Sequence, residues 1–134
     1  MSVLEHKIDF AVLVTAANAN PNGDPLNGNR PRTDYEGFGE ISDVCIKRKL
    51  RNRMQDMGKC VFVQSADRAD DGMGSLKERA EANIDKKIKD KDEYAKIACE
   101  RWIDVRSFGQ VFAFKADKKG EGVSVGVRGP VSVH

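Results

Sequence analysis

Five of the seven residues from Lys47 to Arg53 are cationic: Lys47, Arg48, Lys49, Arg51 and Arg53, with no acid between Cys45 and Gln55. Like charges placed this closely repel one another, whereas an ordinary solvated helix interleaves acids at i and i+4, as the stretch from Glu78 to Lys96 does. Guanidinium and ammonium groups in such a run suit a polyanion, because each phosphate contact releases condensed counterions. The run therefore points to nucleic acid, with a solvated helix face or an acidic protein partner as the competing readings. Immediately before it lies ANANPNGDPLNGNRPRTDYEGFGE, a loop of exposed amides whose Pro21, Pro25 and Pro31 exclude a long regular element. At about two dozen residues it exceeds an ordinary connection, and loops of that length are usually functional or disordered.

Other chemistries fail on spacing. Asn18, Asn20, Asn22 and Gly23 fit positions of a calcium-binding loop, but Asn29 stands where a bidentate glutamate is needed and no carboxylate leads the loop. A phosphate-cradling loop would end in Gly-Lys-Ser/Thr, which is missing here. His6 lies beside the N-terminus and His134 is the last residue, so neither has evident partners for acid–base catalysis, and Ser107 lacks a nucleophile-elbow context. We expect neither an enzyme, a metal site nor a cofactor. Cys45, Cys60 and Cys99 are odd in number and widely spaced, which reads as reduced thiols in a cytoplasmic protein. In RSFGQVFA, Arg106, Phe108, Gly109 and Val111 fit the aromatic strand motif of RNA-recognition domains, but Gln110 and Ala113 replace its stacking aromatics.

The positioning elements follow from periodicity. Ile8 to Thr15 is β-branched and apolar on both faces, which predicts a buried central strand. Its apolar run falls far short of a bilayer span, and Glu5 and Asp9 spoil a secretory leader. A helix is predicted from about Ile41 to Asp56, with Ser42 as N-cap and Gly58 as its left-handed stop. Its Ile46, Leu50, Met54 and Met57 should point into the core and Arg48, Arg51 and Asn52 away from it. Cys60 to Gln64 reads as a second strand, and Ser75 with Glu78 as a capping box opening a mostly solvated helix with a stripe of Leu76, Ala80, Ile84 and Ile88. A further helix runs from about Asp92 to Ile103. Phe108 to Phe114 and the alternating Val123, Val125 and Val127 form a hairpin with Lys115, Lys118 and Lys119 near its tip.

A chain of 134 residues with a formal net charge of +2 holds one domain with a real core. The element order predicts an α+β sandwich of ferredoxin-like type, an antiparallel sheet with helices on one face. We expect a single domain over residues 1–134, with a loop insertion at 16–40 and a helical insertion at about 75–103.

NPNGDP (Asn20 to Pro25), GNRPRTD (Gly28 to Asp34), GFGEISDVCIKRKLRN (Gly37 to Asn52), DVRSFGQVFA (Asp104 to Ala113) and RGPV (Arg128 to Val131) occur in one order along nearly the whole chain. Together they resemble the backbone subunit of type I CRISPR effector complexes, closest to its type I-C form, in the repeat-associated protein superfamily. The resemblance implies a modified RNA-recognition fold that assembles with copies of itself and other subunits along a CRISPR guide RNA. Such a subunit holds the guide's sugar-phosphate backbone, leaves its bases free to pair with target DNA, and catalyses nothing. It also implies guide contacts at Asn20, Asn22, Arg30, Arg32, Lys47, Arg48 and Arg51, and at Arg106 and Ser107 through the second motif. Members of the family run to about twice this length, so the chain corresponds to the N-terminal half and is expected to be C-terminally truncated, leaving a sheet edge open at Val123 to Val133. The rival enzyme of the same superfamily, a repeat-RNA-processing endoribonuclease, would have to draw its base from His6.

Overall fold

The computed structural model describes residues 4–114 and 123–134. The chain divides into two compact units, Met1–Ser42 and Asp43–His134. Both are built from short antiparallel strands and helices, so the fold is α+β as expected.

In the first unit, residues 8–15 form no strand, which corrects the expectation of a buried one: Ile8, Phe10, Val12, Leu13 and Val14 are 60–92% exposed. Strand propensity expresses fit to a neighbouring ladder. Among the described residues, no strand pairs with this segment. The long loop, by contrast, is organised. β1 (Gly23–Asp24) pairs antiparallel with β2 (Arg30–Pro31), and Asp24 caps the intervening 3-10 turn Pro25–Asn27 by accepting the Leu26 amide at 3.0 Å. Gly28 and Asn29 both adopt left-handed backbone, φ 59°, which these two residue types tolerate best. A second turn follows, in which Asp34 Oδ1 accepts the amides of Glu36 and Phe38, each at 2.9 Å.

The second unit opens with α1 (Asp43–Asp56), which ends as predicted at Gly58, φ 69°. The Lys59 amide donates to the Met54 carbonyl at 2.9 Å and the Gly58 amide to that of Gln55 at 2.8 Å, which closes the last turn in a Schellman motif. α2 (Leu76–Asn83) starts at Ser75, whose Oγ accepts the Glu78 amide at 3.1 Å while Glu78 reaches back to the Gly74 amide at 2.8 Å. α3 (Lys91–Arg101) is capped by Asp90. α4 (Ile103–Phe108) follows after Trp102, so Arg106 and Ser107 lie on a helix and not in the strand motif. β3 (Gly109–Phe114) and β4 (Val123–Arg128) form the predicted hairpin, registered Gly109 to Arg128 and Phe112 to Val125. The expected lysine tip, Lys115, Lys118 and Lys119, lies outside the described residues.

The core gathers Phe62, Ala80, Ile84, Tyr94, Ala98, Trp102, Val105, Phe112 and Val125. Phe62 is fully buried within it, with ring centroids 4.7 Å from Trp102 and 5.0 Å from Phe112, in tilted geometries that favour aromatic pairs. Cys60 to Gln64 reaches this core without being a strand, a second correction: the Cys60 carbonyl accepts the Ile103 amide at 3.1 Å, and the backbone of Phe62 and Val63 is held by side chains. Asp104 accepts the amides of Phe62 at 2.7 Å and Val63 at 3.0 Å, and Arg79 donates to the Phe62 carbonyl at 3.0 Å.

Candidate nucleic-acid interface

The predicted site residues fall into both units. In the first, Asn20 and Asn22 are scaffold amides: Asn20 donates to the Asn29 carbonyl at 2.7 Å, and Asn22 Oδ1 accepts both the amide and the hydroxyl of Ser42 at 2.9 Å. Arg32 pairs with Glu40 at 2.7 Å, and that hydrogen bond pushes the guanidinium's pKa up further from its already high value. Arg30, on β2, is exposed and has no ion-pair partner among the described residues. Tyr35 stands fully exposed at the apex of the Asp34 turn.

In the second unit the orientation of α1 differs from expectation. No residue of this helix is fully buried, and Leu50, placed in the predicted apolar stripe, is 39% exposed. Instead Arg48, Arg51, Asn52 and Gln55, which share one face by helical spacing, meet the rest of the unit. Arg51 Nε donates to Asp104 Oδ2 at 3.0 Å with its guanidinium 5.2 Å from the Phe108 ring centroid, Gln55 donates to the Arg68 carbonyl at 3.0 Å, and Arg68 donates to the Asn52 carbonyl at 3.3 Å. The physical reason is the buried carboxylate of Asp104, 1% exposed, which demands charge and hydrogen bonds more strongly than Leu50 demands burial.

The cations consequently differ in what they are free to do. Lys47 is paired with Asp43 at 3.0 Å, and this bond holds the Asp43 carboxyl below the usual range. Arg48 is partly buried; burial first, and then the neighbouring Arg51 charge, lower its pKa from the usual guanidinium value. Lys49 and Arg53, which the resemblance did not single out, are exposed on the opposite side of α1 with no ion-pair partner among the described residues. Arg106 is exposed on α4.

Two of the quoted motifs meet. The Val131 amide donates to the Ser107 carbonyl at 2.9 Å, and Gly129 packs against the backbone of Ser107, Phe108 and Gly109 so closely that a Cβ there would overlap them. RSFG and RGPV thus form one backbone junction at the end of the hairpin where β4 finishes with Arg128. Asp104 and Arg79, the two buried charges among the described residues, were missed by sequence reasoning. For Asp104 a signal existed, an acid lodged between Ile103 and Val105 directly after Trp102; Arg79 sits in an ordinary charged helix and carries none.

Among the described residues, no cluster of histidine, cysteine and carboxylate side chains could hold a metal ion, and no helix is long and apolar enough to cross a membrane. No disulfide joins Cys45, Cys60 and Cys99, and burial pushes the Cys99 thiol up in pKa. Arg30 on β2, Lys49 and Arg53 on α1 and Arg106 on α4 are solvent-facing cations, suited to binding a polyanion by charge.

Residues 6–134 match the model of the family described as CRISPR-associated protein Cas7. A relative from Haloferax volcanii, also described as CRISPR-associated protein Cas7, is 34% identical over 119 residues, which make up 87% of this chain and 35% of the relative. The chain therefore spans about a third of the length of the curated relative it matches.

Proposed function

Since the chain belongs to the CRISPR-associated protein Cas7 family, we propose that it serves antiviral defence as a non-catalytic backbone subunit of a type I-C, Cascade-like interference complex in the cytoplasm. In this reading it binds CRISPR guide RNA through sugar and phosphate, assembles with copies of itself and with other effector subunits, and meets target DNA only through the guide. The observation that carries the reading is the cationic run of α1, whose Lys49 and Arg53 face solvent without acidic partners among the described residues. Of the residues implied by the resemblance, Arg30 and Arg106 bring exposed charge to the guide, and Arg48 adds charge from the partly buried edge of α1. Lys47 and Arg32 do so while exchanging an exposed acid for a phosphate, an exchange that costs little because exposed pairs are worth ~1 kcal/mol or less. Asn20, Asn22 and Ser107 shape the backbone around them, and Arg51 acts from inside.

Binding of a labelled repeat-containing RNA, followed by fluorescence anisotropy across a salt series, tests this. The affinity should fall linearly with salt on logarithmic axes, and Lys49→Ala should shallow the slope by about one ion. Undetectable RNA affinity at low salt would remove the reading. Specific cleavage of the RNA, abolished by His6→Ala, would replace it with the endoribonuclease.

A further inference from the structure

We propose that Asp104 is a positioning residue for the RNA-facing helix, acting through Arg51; the proposal rests on the guide-binding reading above. Asp104 is 1% exposed and accepts three hydrogen bonds, from the Phe62 amide at 2.7 Å, the Val63 amide at 3.0 Å and Arg51 Nε at 3.0 Å. The two backbone bonds fix the carboxylate to the core, since Phe62 is itself fully buried. The third is the only one of the three that reaches α1. Phe108 lies one turn further along α4 and offers its ring to the same guanidinium at 5.2 Å. Arg51 is thereby clamped between a charge and an aromatic face presented by one helix.

This clamp sets the rotation of α1 about its own axis. An apolar seam normally does so, but no α1 residue is fully buried and Leu50 is 39% exposed. Lys49 and Arg53 each lie two residues from Arg51, about 200° around the helix, so holding Arg51 inward holds both of them outward. Asp104 also counters repulsion: Arg48 and Arg51 are like charges less than one turn apart, and the Asp104 charge acts on Arg48 in the opposite sense to that of Arg51. A buried acid in the core thus decides which cations face the RNA, without touching RNA itself.

Anisotropy of the labelled repeat RNA over a salt series, with amide hydrogen exchange on the same proteins, tests the proposal with wild type, Asp104→Asn and Arg51→Lys in the full chain. Asp104→Asn puts an amide NH2 where either Phe62 or Arg51 and Val63 donate, so protection in α1 should fall while that in α3 holds. RNA affinity should drop about tenfold and the salt slope should lose about two ions. Arg51→Lys, which keeps the charge but not the fork or the ring contact, should behave in the same way. Wild-type affinity and slope in Arg51→Lys would show Arg51 to be an ordinary phosphate-binding cation and overturn the proposal, as would an unaltered slope in a folded Asp104→Asn. If wild type itself binds no RNA, the guide-binding reading fails first and the positioning role fails with it, whereas binding by wild type with no change in either variant sinks the positioning role alone.

Discussion

Arg79 donates from Nη1 to the carbonyl oxygen of Phe62 at 3.0 Å, while the amide of the same Phe62 donates to Asp104. One buried residue thus has its two backbone polar groups satisfied by side chains of opposite charge, in a segment with no neighbouring strand to do so. Arg79 in turn is held by Asp71 in a two-pronged ion pair. Replacing it with methionine keeps much of the volume but leaves the carbonyl and the carboxylate unmet, so Arg79→Met should cost about 2–4 kcal/mol. Urea unfolding measures this; a loss below about 0.5 kcal/mol would mean that Phe62 finds another donor.

The same ion pair predicts a response to acid. The hydrogen bond from Arg79 holds the Asp71 carboxyl at about 2, below its ordinary 3.8. A depressed folded-state value stabilises the fold above the unfolded value and loses that contribution as pH falls toward the folded one. Stability should therefore decline between about pH 5 and pH 2, by about 1 kcal/mol from this group once solvent screening of a partly exposed carboxylate is allowed for. Thermal melts of wild type and Asp71→Asn across that range check it: the two curves should converge at the acid end, and a constant gap would assign the slope to other carboxylates.

The junction of RSFG with RGPV is equally testable. A methyl group on Gly129 would meet the backbone of Gly109 and Ser107, which cannot move aside as a side-chain tip can. Gly129→Ala should destabilise by about 2 kcal/mol, whereas Gly126→Ala, within β4 and in open space, should stay within about 0.5 kcal/mol. Equal effects in chemical denaturation would contradict the close approach.

Lys49 and Arg53 separate exposed charge from paired charge. Lys49→Ala combined with Arg53→Ala should shallow the salt dependence of RNA binding by about two ions without lowering the melting temperature, because neither has an acidic partner to lose among the described residues. Lys47→Ala should change the slope by less than one ion, since its pair with Asp43 already neutralises part of its charge. A Lys47 effect equal to that of Lys49 would show the pair to be open in solution.

What the sequence disclosed and what it hid follow from where the determinants lie. The stop at Gly58, the cap at Ser75 and the alternation of the last strand are local, written in neighbouring residues, and the elements there match expectation. Ile8 to Thr15 and Cys60 to Gln64 have strand composition, but strand formation depends on a partner that propensity does not supply. The facing of α1 departs from its apolar stripe because the competing term, a buried acid more than fifty residues away, is a long-range fact. Of the candidate site, the cationic composition of the helix was legible, while the division between clamped Arg51 and free Lys49 and Arg53 was not.

The turns between Asn20 and Glu40 bear on the thermodynamics of whatever they touch. Ordering a free loop of this length on contact would consume about 1–2 kcal/mol of conformational entropy for each residue fixed. Here Asn22 is already tied to Ser42, Asn20 to Asn29, Arg32 to Glu40, and Asp34 to two amides of its own turn. Much of that entropy is surrendered at folding, so binding through this segment should show a small entropic penalty and a heat-capacity change set by buried surface rather than by coupled folding.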